Sequence, residues 1–127
     1  MKEKIGLLLL RISLGVVFLI FGVGKFRGDI WVRTIESMDL FKRLPFSVDI
    51  AVFATGVLEV ATGCGLILGL FRRWFSVLAA LQLTAILFLL QFQEVRDLGL
   101  LGAAVYMALI KRDSWGIDYF FRRKFNQ

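Results

Sequence analysis

The chain contains no histidine. That absence removes imidazole ligands for haem or zinc, and the side chain that most often moves protons near neutral pH. A single cysteine, Cys64, leaves neither an intrachain disulfide nor a Cys-x-x-Cys redox pair. With one proline and no Ser- or Gln-rich tract, nothing resembles a linker, and residues 1–127 are read as one domain. No cofactor is expected to be intrinsic to such a chain. Any electrons it handles must travel on a bound organic molecule or on a partner.

Apolar sequence is what it has in plenty. Hydrophobic residues make up 58% of the chain and the mean hydropathy is +0.76, well beyond an ordinary soluble domain. Four apolar segments stand out, at residues 5–24, 50–71, 74–92 and 98–110. Two carry one charge each, Arg11 in the first and Glu59 in the second. A helical crossing takes about 20 residues, so Glu59 is expected near the hydrocarbon midplane. An ionisable group costs several kcal/mol there and persists when it faces a bundle interior, is paired, or does chemistry. The last segment is short. Backbone inside lipid must be helical, so a fourth crossing that ends near Lys111 has to begin near Gln91–Gln93. That places Asp97 a turn or more below the surface, as a second buried acid.

These observations predict an all-α protein, a four-transmembrane-helix bundle with spans at about 5–25, 48–71, 74–92 and 93–111. The first span is expected to be retained, because Arg11 interrupts its apolar run and no typical small-x-small cleavage site precedes Lys25. Apart from Arg11, nine Lys and Arg residues lie at or beyond the span ends on the N-terminal side and six on the other, which predicts N-in, C-in insertion. The net charge of +6 is then accounted for by anchoring to the lipid bilayer, and no nucleic-acid partner is expected. Between spans one and two, Trp31, Ile35, Met38 and Phe41 share a helical face, which predicts a short interfacial helix. The C-terminal residues 114–127 combine five aromatics with Arg122, Arg123 and Lys124, and are read as a second interfacial segment.

Small residues point to the helix contacts. Thr55, Gly56, Glu59, Thr62 and Gly63 form one stripe, and Arg11, Gly15, Phe18, Gly22 and Lys25 form another. Gly99, Gly102, Ala103 and Ala104 are the corresponding small residues of span four, and Cys64 is read as one more packing residue. Side chains lean toward the N-terminus of their helix. In antiparallel spans Lys25 and Glu59 therefore lean toward each other, across a backbone offset expected at about 12 Å. Arg11 leans away, toward headgroups. The candidate ligand-binding or proton site is Lys25, Glu59 and Asp97, with Arg11, Gln82 and Tyr106 lining the other half.

Three pieces of sequence together resemble the DoxX/DoxD family of small four-helix membrane proteins. They are Leu-Arg-Ile-Ser-Leu-Gly-Val-Val-Phe-Leu-Ile-Phe-Gly-Val-Gly-Lys-Phe (residues 10–26), Leu58-Glu59 with Gly63 and Leu-Ile-Leu-Gly-Leu (66–70) before Arg72-Arg73, and Arg-Asp-Leu-Gly-Leu-Leu-Gly (96–102). The resemblance implies an inner-membrane bundle in which Arg11, Lys25, Glu59 and Asp97 match recurring charged positions. It also implies an association with quinone-linked redox systems, since DoxD-type members are subunits of thiosulfate:quinone oxidoreductase. Three functions are compatible with these readings: a membrane subunit that binds a quinone or another small ligand and serves a redox partner, a small transporter or ligand carrier, and a non-catalytic scaffold or assembly factor. A homo-oligomer is compatible with each.

Overall fold

The computed structural model describes every residue except 39, 40, 44, 46, 90–95, 111–115, 126 and 127. The described residues form helices and turns, with no strand among them. In chain order the helices are α1 (Lys2–Lys25), α2 (Ile30–Glu36), α3 (Val48–Leu68), α4 (Arg72–Leu89), α5 (Arg96–Leu109) and α6 (Ile117–Phe125), with a 3₁₀ turn at Phe41–Arg43. Three of them, α1, α3 and α4, are long and apolar enough to cross a membrane, and α5 is a shorter apolar helix of 14 residues. The proposed start of span four at 93 and the turn after Gln91 lie outside the described residues.

The four longer helices form a ring. α1 packs along α3 and α4 along α5, while α3–α4 and α1–α5 contacts close the circuit. Leu14, Leu66, Ala79, Ala104 and Met107, drawn from all four, meet in the buried centre. The tightest seam is α1–α3, and glycine makes it. A methyl group added at Gly63 would stand 2.7 Å from the Gly15 carbonyl oxygen, and one at Gly22 would stand 2.9 Å from the Val60 backbone nitrogen. Backbone thus touches backbone at two levels, and the pairing shows that the helices run antiparallel. Most of both predicted stripes is buried, with Lys25 half-buried and Thr55 exposed. Arg11, Gly15, Phe18 and Gly22 are buried on α1, as are Gly56, Glu59, Thr62 and Gly63 on α3.

Span two was expected to run to residue 71, but α3 stops at Leu68. Gly69 takes a left-handed conformation (φ 67°), its N–H bonds to the Leu66 carbonyl, and the Leu70 N–H bonds to that of Gly65. This paired closure satisfies the last carbonyls and turns the chain at once into α4, which begins at Arg72, two residues before the predicted start. Arg72, which falls between the predicted second and third spans, is buried. Its Nη1 donates to the Met107 carbonyl at 2.6 Å and its Nη2 donates to the Ile110 carbonyl, so it caps the C-terminus of α5.

The glycines of α5 correct another expectation. Gly99 and Gly102 are exposed, and a Cβ on either would meet nothing within 4 Å. Of the predicted small residues Ala104 is buried, and it shares the buried face of α5 with Asp97 and Met107. Cys64 likewise faces outward.

Candidate functional site

A cavity of about 380 Å³ opens inside the ring at the Lys25 end. Its walls are apolar, with Val17, Phe18 and Phe21 from α1, Leu83, Ile86 and Leu89 from α4, and Leu100 from α5. Polar groups converge where Lys25, Glu59 and Asp97 all reach the lining. The three residues that the sequence brought together as a cluster therefore do share one space.

Lys25 and Glu59 meet directly. The Lys25 Nζ donates to both carboxylate oxygens of Glu59, at 2.6 Å each, with the two side chains only 7% and 4% exposed. The expected 12 Å backbone offset is too large. A Cβ on Gly56 would stand 3.3 Å from the Lys25 Cβ, so Lys25 lies level with Gly56, three residues from Glu59. That is a rise of about 4.5 Å, which a lysine stem spans without a bridging water. The close glycine seam is the cause. By bringing the α1 and α3 backbones together it leaves only side-chain length to be covered.

The third wall is α2. Ile30, Trp31, Thr34, Ile35 and Met38 line the cavity, and the indole of Trp31 lies 4.6 Å from the Lys25 Nζ, as a cation–π partner. Phe21 meets the same indole edge-on, at 6.3 Å between ring centroids. The face Trp31–Ile35–Met38, predicted to lie on lipid, is thus turned onto the cavity. The side chain of Phe41 carries no part of this description. No residue of α2 is buried, so it covers the site without belonging to the core. Sequence reasoning missed Trp31 as a site residue. Its helical spacing with Ile35 and Met38 was visible, but that pattern does not say which apolar surface the face will meet.

Hydroxyl groups complete the wall. Thr55 donates to the Ala51 and Val52 carbonyls, at 2.8 and 3.0 Å, and Thr34 donates to the Ile30 carbonyl at 2.8 Å. Both threonines line the cavity, with their hydrogens committed to their own helices.

Three predicted site residues lie elsewhere. Gln82 donates to the Thr62 hydroxyl at 2.8 Å, and Thr62 donates to the Leu58 carbonyl, a polar tie between α4 and α3 that does not line the cavity. Arg11 is 2% exposed rather than extended to headgroups. Its guanidinium lies against Gly69 and Gly116, where a Cβ on Gly116 would stand 3.2 Å from its Nη1 and 2.8 Å from the Gly69 carbonyl oxygen. A cation there faces the C-terminal end of α3, where the helix dipole favours positive charge. Tyr106, assigned to the same half of the interior, is 56% exposed. Among the described residues no group of His, Cys, Asp and Glu could hold a metal ion.

The model of the DoxX family matches residues 6–91, which is 86 of the 127 residues. The match takes in Lys25, Trp31 and Glu59 and ends before Asp97 and α5. No curated protein and no solved structure matches the chain.

Proposed function

The chain belongs to the DoxX family of membrane proteins, and we propose that it holds a small ring-bearing ligand of the quinone type inside the bundle, as the membrane subunit of a redox partner. On this reading α5 is the fourth crossing helix and α2 and α6 lie at the two interfaces. The protein sits in the inner membrane with both termini on the cytoplasmic side. The observation that carries the proposal is the cavity itself. Its volume of about 380 Å³ falls within the roughly 300–1,000 Å³ of small-ligand sites, and its walls are apolar except at one polar corner.

The residues present fit a quinone ring. The indole of Trp31 and the ring of Phe21 offer stacking surfaces, the apolar walls of α1 and α4 suit an isoprenoid tail, and the charged corner orients the oxygen-bearing edge. The quinone would supply the redox chemistry. The chain's own part is to bind and orient the ring and to keep water from it. The Lys25–Glu59 pair keeps two opposite charges together where neither alone would be tolerated.

The test is the ligand content of gently purified protein. Solvent extraction of protein in native nanodiscs, followed by mass spectrometry, should find quinone in near-stoichiometric amount. A different defined small molecule in the extract would replace this reading with that of a carrier. A ligand-free bundle that retains a stable protein partner would replace it with that of a scaffold.

A further inference from the structure

The two ends of the bundle interior are built differently. Each of the four helices in the ring lines the cavity, and about one or two turns further from Lys25 each supplies a residue that is 1% exposed or less. These are Leu14 on α1, Leu66 on α3, Ala79 on α4 and Ala104 on α5, with Met107 packed among them. A layer closed from all four sides leaves no channel for a solute. The half beyond this floor is also tied from helix to helix. Gln82 on α4 donates to Thr62 on α3 at 2.8 Å, Arg72 on α4 donates to the Met107 carbonyl on α5 at 2.6 Å, and Gly63 on α3 meets the Gly15 carbonyl on α1 with no room for a methyl group. Parting these helices would leave buried polar groups without partners. At the Lys25 end the cover is α2, which has no buried residue and meets the cavity through Trp31, Ile35 and Met38.

From this asymmetry we infer that the cavity is a blind chamber, filled and emptied at the Lys25 end alone, so that the protein holds its ligand for one face of the membrane and does not pass it across. The inference goes beyond the quinone-type reading and does not depend on which small molecule the cavity holds. Carriers that serve both faces rock one part of a bundle against another around a central site. Here the site lies in one half of the bundle, and the ties between helices in the other half oppose the rocking that would open it. Any protein that exchanges a ligand or electrons with the cavity therefore meets it at the Lys25 end, across α2.

Cysteine accessibility tests this in the full-length protein, with Cys64→Ala removing its own thiol. Right-side-out and inside-out membrane vesicles are treated with a membrane-impermeant trimethylammonium methanethiosulfonate. Gly28→Cys and Lys2→Cys, exposed near the two opposite ends of α1, identify the side on which each end lies. Thr55 and Thr34 line the cavity from α3 and α2. Thr55→Cys and Thr34→Cys should be labelled from the Gly28 side and not from the Lys2 side. Two cavity positions on two helices keep the test decisive where one variant fails to accumulate. Ser76 lies further along α4 from the cavity than Ala79, is fully buried, and its hydroxyl has no partner among the described residues, so a thiol replaces it without breaking a bond. Ser76→Cys should stay unlabelled from both sides until the protein is denatured. Labelling of either cavity cysteine from the Lys2 side, or of native Ser76→Cys from any side, overturns the inference, and so does protection of Thr55→Cys from both sides. Each of these results leaves the quinone-type reading to be decided by the ligand extraction.

Discussion

Lys25 and Glu59 are separated by 34 residues of sequence and by 2.6 Å in space, with the ammonium shared between both oxygens of the carboxylate. Lysine is the last residue of α1, and glutamate lies near the middle of α3. The pair therefore joins the end of one apolar helix to the midpoint of the next, and fixes their relative height at the wall of the cavity.

Removing either partner should expose that role. Lys25→Met leaves a buried carboxylate without its cation and is expected to cost about 3–5 kcal/mol, with a similar loss for Glu59→Leu. The double variant should recover much of the loss, because no uncompensated charge remains. Chemical denaturation of the four proteins in one detergent gives the coupling. Additive losses in the double variant would mean that the two side chains do not act as a pair.

Trp31→Ala separates ligand binding from folding. The indole faces Lys25 and the cavity from a helix with no buried residue. Its loss should cost the fold little, about 0.5–2 kcal/mol for the cation–π contact, while ligand retention falls severalfold. Ligand content per mole of protein, measured beside thermal stability, decides this. Unchanged ligand content would remove α2 from the site.

The glycines predict opposite signs at matched chemistry. Gly63→Ala puts a methyl group 2.7 Å from a backbone oxygen that has no flexible end to move, so the α1–α3 seam must open. A loss of about 1–3 kcal/mol is expected. Gly102→Ala meets nothing within 4 Å and should gain up to about 1 kcal/mol in helix propensity. Unfolding midpoints of the two variants, measured side by side, should move in opposite directions.

Topology can be read with reporters. Fusions after Glu36 and after Lys124 should report opposite sides of the membrane, periplasmic and cytoplasmic in that order. The same side for both would remove one of the crossings on which the four-span arrangement depends.

Much of this arrangement was legible in the sequence, for a simple physical reason. A helix has a fixed period, so Arg11, Gly15, Phe18 and Gly22 had to share a face, and so did Gly56, Glu59, Thr62 and Gly63. An acid in an apolar run also had to look inward. What a period does not carry is the height at which two helices meet. The Lys25–Glu59 offset was overestimated because it depends on which glycines interlock, a property of the pair and not of either helix. Gly99 and Gly102 were assigned inward because small residues commonly mark contacts. In lipid both faces of a helix are apolar, and composition alone does not separate them. Arg11 has a stem long enough to reach either headgroups or a neighbouring turn, and the choice is made by a pair of glycines, Gly69 and Gly116, far apart in the chain. Asp97, expected as a second buried acid, is buried in the bundle, and the residues that connect it to α4 lie outside those described.

The glycine seam also divides the bundle mechanically. At Gly63 the nearest atom to an added methyl is the Gly15 carbonyl oxygen, 2.7 Å away, so α1 and α3 meet there backbone to backbone and a rotamer change cannot relieve that contact. The walls contributed by α4, α5 and α2 include Leu83, Ile86, Leu100, Ile35 and Met38, whose side chains can change rotamer. A larger or differently shaped occupant must therefore be accommodated on that side. Lys25 and Glu59 stand on the rigid half, so that ion pair keeps its position while the opposite wall, Asp97 included, adapts.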